Sequence, residues 1–184
     1  MVFLNSCELF WYLNEVIDKK MEEKPPFDID VNISTYGISL CDRKGEYEPG
    51  NYYYEKTEAK EFIEKLYETK CKMLVGIPPI KKYQKQNYGL NYSEYHKKIE
   101  EILAIGEEYD INCIPSENLH FKFYRIDEIV VTGGVNFGNS MWNDCSVLIE
   151  AKEDKERLQF LFDCSWDGAT KIHPVLDKIK YMTD

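Results

Sequence analysis

His120-Phe-Lys122-Phe-Tyr-Arg-Ile-Asp127, with Gly133-Gly134-Val-Asn136 shortly after it, is the stretch on which the fold turns. Successive side chains along a strand leave opposite faces, so His120 and Lys122 share one face. Leu119, Phe121 and Phe123 take the other, which reads as buried. Asp127 and Glu128 interrupt the apolar run, and it resumes as Ile129-Val130-Val131-Thr132. That is the pattern of a hairpin turning near Asp127. Folding there pairs residues whose numbers sum to about 255 and sets His120 opposite the Gly134-to-Asn136 stretch. Glycines at 133 and 134 let an anion come close to the backbone. An imidazole, an ammonium and an amide converging beside bare backbone suit a phosphate. From spacing alone, an amphipathic hairpin with solvent-facing His120 and Lys122 is the plainer alternative.

Outward from the hairpin, the chain alternates helical and extended patterns. Leu9, Phe10, Leu13, Val16, Ile17 and Met21 fall at helical spacing and predict a helix over 6–23, ended by Lys24-Pro25-Pro26. The segment 27–36 alternates apolar and polar residues as a strand does. The region 45–50, bounded by glycines, reads as a turn-rich, mobile loop. Thr57-Glu58 opens a second helix through Ala59, Phe62, Ile63, Leu66 and Tyr67. A buried strand covers 72–77 and is stopped by Pro78-Pro79. A third helix runs from Ser93, as cap, to about Glu108. Ile111 to Ile114 forms a short strand, and Val147-Leu148-Ile149 another. Helices over 153–158 and 174–181 are expected to meet at a turn, Asp167-Gly168. The class is α/β with a mixed sheet flanked by helices, in one domain over residues 1–184. The chain ends just after a helix, so continuation in a longer protein beyond Asp184 stays open.

Composition narrows the function classes. Hydrophobic residues make up 43% and charged residues 30% of the 184, the mix of a soluble globular protein. No apolar run reaches the ~18 residues of a membrane-spanning helix, and no membrane anchor is expected. Met1-Val-Phe-Leu-Asn lacks the basic and apolar regions of a signal peptide. Six scattered cysteines without a C-x-x-C pair suggest buried, reduced thiols and a cytoplasmic location rather than a zinc site. The net charge of −10 argues against a generally basic nucleic-acid binder. A local cationic stretch runs from Lys81 to Lys98, where Lys81, Lys82 and Lys85 interleave with Tyr83, Tyr88, Tyr92 and Tyr95. Lysines there would track phosphates while tyrosines stack on bases. A solvated loop leading into a surface helix explains the same residues equally well.

The spacing H-x-K-x4-D followed by G-G-x-N resembles the signature of the phospholipase D superfamily, in which the second half usually reads G-S-x-N. Gly134 stands where the family has serine, and the spacer after Asp127 is one residue shorter. Family domains place a strand, helix, strand and helix before the motif hairpin, and Tyr36 is similar to an aromatic near the end of their first strand. The family's next strand usually begins N-x-E-N. Here Asn143-Asp144-Cys145-Ser146 puts Cys145 in the place of the supporting glutamate, and Asp144 would point to the opposite face.

The resemblance implies a phosphodiesterase chemistry without cofactor or metal. His120 would attack phosphorus and form a phosphohistidine, while Lys122 and Asn136 hold the non-bridging oxygens. Asp127, the last residue of the catalytic motif, sits at the turn and is expected to play a supporting role. One motif supplies one histidine, whereas attack and protonation of the leaving oxygen need two. Small single-motif endonucleases of this superfamily bring two copies together, so a homodimer acting on nucleic acid is the leading expectation. A phospholipase is the alternative within the same chemistry, and an acidic surface would be repelled by an anionic bilayer. A binding module that keeps the fold without activity is the alternative from another class.

Overall fold

The computed structural model describes residues 2–40, 43–48, 51–55, 57–81, 89–117, 119–138 and 144–180. Helix α1 (Ser6–Glu23) grows directly out of a short strand, β1 (Phe3–Asn5). Asn5 is the pivot: its side chain accepts from the Glu8 N–H at 3.0 Å, and the Glu8 carboxylate accepts from the Asn5 N–H at 2.9 Å. This reciprocal capping satisfies two otherwise orphaned donors of the first turn. Past Pro25, a 3-10 turn (Pro26–Asp28) leads into β2 (Asp30–Thr35). The extended segment therefore begins later than the alternation from residue 27 suggests.

Strands β3 (Arg43–Glu48) and β4 (Asn51–Glu55) pair antiparallel as a ribbon separate from the main sheet. The mobile loop expected at 45–50 is thus replaced, over 45–48, by ordered strand. The reading gave Gly45 more weight than the strand preference of the Tyr52-Tyr53-Tyr54 run paired with it. Helix α2 (Glu58–Lys65), capped by Thr57, precedes β5 (Lys70–Ile77). Helix α3 (Tyr92–Tyr109) is capped by Asn91 with Glu94 in return, not by Ser93. Strand β6 (Asn112–Glu117) follows, then the hairpin β7 (Phe123–Ile126) and β8 (Ile129–Gly133), and β9 (Cys145–Ile149).

The seven strands of the main sheet lie in the order β1-β9-β8-β7-β2-β5-β6. β2, β5 and β6 run parallel, and the other pairings are antiparallel. The α/β class with a mixed sheet is therefore as expected. Hairpin register also follows expectation: Phe123 pairs with Thr132 and Ile126 with Ile129 around a two-residue turn.

Both faces of the sheet are covered. On one, Leu9, Phe10 and Leu13 of α1, Phe62 and Ile63 of α2, and Ile99 and Ile102 of α3 pack against Val31, Ile33, Met73 and Tyr124. On the other, Phe162, Trp166 and Ala169 of helix α4 (Lys152–Lys180) meet Leu74, Phe123 and Val130. Burial on both sides explains the unbroken apolar run at 73–75. α4 is one helix of 29 residues, so the expected break at Asp167-Gly168 does not occur. Glycine in a helix costs only ~1 kcal/mol; the buried Trp166 and Ala169 on either side of it outweigh that. Nothing in the described contacts explains how the helix continues through Pro174. No helix among the described residues is long and apolar enough to cross a membrane.

Candidate active site

The end of β2 is where the motif comes together. Ser34, Thr35 and Tyr36 are consecutive polar or aromatic residues on a strand that is otherwise apolar on its inward face. Each holds a different part of the constellation. The Ser34 hydroxyl donates to the Phe121 carbonyl, fixing the backbone between His120 and Lys122. The Thr35 hydroxyl accepts the Phe137 N–H at 2.9 Å and donates to the Gly37 carbonyl at 2.7 Å. The Tyr36 N–H donates to Oδ1 of Asn136 at 3.2 Å.

Asn136 is held from both sides. The buried Tyr124 hydroxyl donates to the Val135 carbonyl at 3.0 Å. Phe137, fully within the core, packs edge-on to Phe10 with ring centroids 5.0 Å apart. An amide with neighbours pinned in this way keeps one orientation at little entropic cost on binding.

His120 and Lys122 both approach the Tyr36 ring. The His120 imidazole stacks on it with centroids 4.4 Å apart and planes 14° from parallel. Lys122 Nζ lies 5.8 Å from the same ring's centre, within range of a cation–π attraction. His120 is exposed and Lys122 half-buried, so both can reach a ligand from solvent. Strand β7 starts only at Phe123, and His120 is not ladder-paired with Gly134–Asn136 as the hairpin extrapolation has it. The last link is the Gly133 N–H to the Lys122 carbonyl at 3.4 Å, after which Gly134 N–H turns to the Cys145 carbonyl at 2.8 Å. Alternation nonetheless continues past the strand, with Leu119 and Phe123 buried in the α4 core and Phe121 packed against it.

Two glycines make the close approach feasible. A Cβ at Gly76 on β5 would collide with the Leu119 carbonyl oxygen and the Tyr36 ring. Gly133 has φ 156°, and a Cβ there would meet Cys145 and Ser146 backbone at 2.5 Å. Ser146, in register with Gly133, is fully buried with an Oγ that has no hydrogen-bond partner among the described residues. Asp144 Oδ1 would lie 3.7 Å from a Cβ on Gly134, whereas Cys145 is exposed. Asp144 thus lies beside Gly134. Asn143 lies outside the described residues.

Asp127 is not part of this constellation. It occupies the hairpin turn in the left-handed region, φ 50°, roughly 17 Å along the strand from Lys122 at ~3.3 Å per residue. Lys24 Nζ pairs with its carboxylate at 2.9 Å, and the same carboxylate accepts the Asp30 N–H at 3.2 Å. It ties the end of α1 and the start of β2 to the hairpin.

The cationic stretch divides. Lys81 is exposed on the loop after β5, its N–H bonded to the Leu90 carbonyl at 2.8 Å. Lys82, Tyr83, Lys85 and Tyr88 lie outside the described residues. From Tyr92 onward the stretch is α3, where Lys98 pairs with Glu101 at 2.7 Å. Tyr95 is buried with its hydroxyl donated to Glu117 at 2.5 Å, so it offers no stacking surface and that part of the expectation is corrected. Desolvation, then the Glu117 contact, drives its phenol pKa upward. The cysteines depart from expectation in part: Cys71 and Cys113 are buried, while Cys145 and Cys164 are exposed. Burial pushes the Cys113 thiol up to about 12. No three His, Cys, Asp or Glu side chains among the described residues are grouped as metal ligands.

Sequence reading gave Tyr36 only as a similarity to a family aromatic and passed over Ser34, Thr35 and Ser146. The available signal was polar residues closing an otherwise alternating strand. No family model and no curated protein matches the chain.

Proposed function

We propose that the protein is a phosphodiesterase of the phospholipase D type, and specifically a nuclease that works as a homodimer without a metal ion. What supports this is the approach of His120 and Lys122 to the Tyr36 ring, with Asn136 held by the Tyr36 backbone. In the reaction, an imidazole nitrogen of His120 attacks phosphorus, and the bond to the leaving oxygen breaks as that oxygen takes a proton from the His120 of a second copy. Water then attacks the phosphohistidine, giving a phosphate monoester and restoring the imidazole. Lys122 and the Asn136 amide stabilise negative charge growing on the non-bridging oxygens. Gly133 is packed closely against β9, so the phosphate would approach the backbone at Gly134.

The test is cleavage of single- and double-stranded DNA and RNA in EDTA, with the DNA reaction quenched in alkali, where a phosphohistidine survives, to trap the intermediate. The expected result is turnover in chelator and a phosphorylated peptide containing His120. Headgroup release from vesicles without nucleic-acid cleavage would instead mark a phospholipase, and neither activity would mark a binding module. Sedimentation is expected to give a dimer; full activity in a strictly monomeric species would overturn the shared-site mechanism.

A further inference from the structure

A cavity of about 310 Å³ opens beside the Tyr36 segment. Its floor is the carboxyl ends of the parallel strands β2 and β5, at Tyr36, Gly37 and Ile77, and its roof is α3, through Lys98, Glu101, Ile102 and Ile105. Ligands of open α/β sheets commonly lie outside the carboxyl ends of parallel strands. The volume falls at the lower end of the ~300–1,000 Å³ of small-molecule sites. Tyr36 is shared: the residue whose ring stacks on His120 also lines this cavity.

We infer that the cavity is a nucleobase pocket, holding the base of the nucleotide whose phosphate lies at His120 and Lys122; this rests on the nuclease reading above. Aromatic and aliphatic walls from Tyr36, Ile77, Ile102 and Ile105 suit the faces of a flat heterocycle, for which stacking contributes ~1–3 kcal/mol per base. At the α3 side, Lys98 and Glu101 form a 2.7 Å ion pair, which presents a donor and an acceptor together. A base edge carries both kinds of group and can bond to either partner. An acyl chain would instead lie across that pair and strip it of water without replacement bonds. Gly37 lines the cavity. A Cβ there meets no heavy atom within 4 Å, and its backbone is not in the left-handed region, so a larger side chain is accommodated at the cavity wall without straining the strand end.

The experiment compares binding of a nucleoside 5′-monophosphate with binding of ribose 5-phosphate, by calorimetry, to the full chain and to Gly37→Leu and Lys122→Ala. The base is expected to add at least about tenfold in affinity, ~1.4 kcal/mol. Gly37→Leu should remove that advantage and leave ribose 5-phosphate binding unchanged, while Lys122→Ala should weaken both ligands. Ile105→Phe narrows the same space from α3 and serves if Gly37→Leu fails to fold. Equal affinity for the two ligands, or an advantage that survives in both cavity variants, overturns the pocket even if Lys122-dependent binding upholds the phosphate site. A base advantage lost in Gly37→Leu, with neither ligand sensitive to Lys122→Ala, upholds the pocket and overturns the phosphate site.

Discussion

Truncating His120 to Ala removes an exposed ring that stacks on Tyr36. It is expected to abolish turnover while leaving the thermal midpoint within a degree or two. Lys122→Ala should lose most of kcat, because a developing charge on phosphate goes uncompensated. Asp127→Ala should behave in the opposite way. Its carboxylate is 14% exposed and holds Lys24 and the Asp30 N–H, so its loss is expected to cost about 1–3 kcal/mol of stability with turnover retained at permissive temperature. Tyr36→Leu tests positioning: kcat is expected to fall more than KM rises, since the ring orients the nucleophile, and Tyr36→Phe is expected to restore it. Comparing kcat, KM and urea midpoints across these four sites separates chemistry from support. Wild-type rates in both His120→Ala and Lys122→Ala would refute the assigned site. At this scale the approach of His120 and Lys122 to one place was legible, because their spacing puts both on one face. Ser34 and Thr35 were not, because a hydroxyl that ties two distant segments looks the same in sequence as one facing water.

Local patterns fixed elements well where periodicity was long. The bounds of α1 coincide with those expected, and the β7–β8 register follows from a two-residue turn placed between two apolar runs. Short or weakly patterned elements were lost. β1 has three residues, too few to show a period, and owes its existence to pairing with β9. Gly168 was taken as a break, but α4 runs through it with open space around the position where a side chain would begin. Replacing Gly168 by Ala should therefore stabilise the protein by about 0.5–1 kcal/mol, with a rise in Tm of a few degrees at most. Differential scanning calorimetry reads this directly, and a fall in Tm would mean that the helix is broken there after all.

Across the whole molecule, titratable groups are buried in the sheet and its α3 side. Cys71, Cys113, Tyr95 and Tyr124 all have pKa values raised, with desolvation the leading cause in each. The folded state keeps their protons where the unfolded chain would release them. Stability from these groups is complete below the ordinary thiol value of 9.0 and is lost as pH rises from there toward the raised values. Urea midpoints are expected to be insensitive to these four between pH 7 and 8 and to fall steadily above pH 9, with a shallower fall in Cys113→Ala. A midpoint that climbs above pH 9 would contradict the burial of these groups. The α/β class was legible at this scale from alternating strand and helix patterns. The strand order was not, because β2 meets β7 through pairings that no local pattern encodes.

The bonds that close the site join residues far apart along the chain. Tyr36 and Asn136 are 100 positions apart, and Thr35 and Phe137 are 102. A ribosome adding 5–20 residues each second leaves roughly 5–20 s between the emergence of the first half and the second. For that interval the nascent chain carries Tyr36 with nothing to hold. Prematurely terminated products that stop before Asn136 lack the partner of the Tyr36 N–H altogether, so the constellation closes late in translation, when most of the polypeptide already exists.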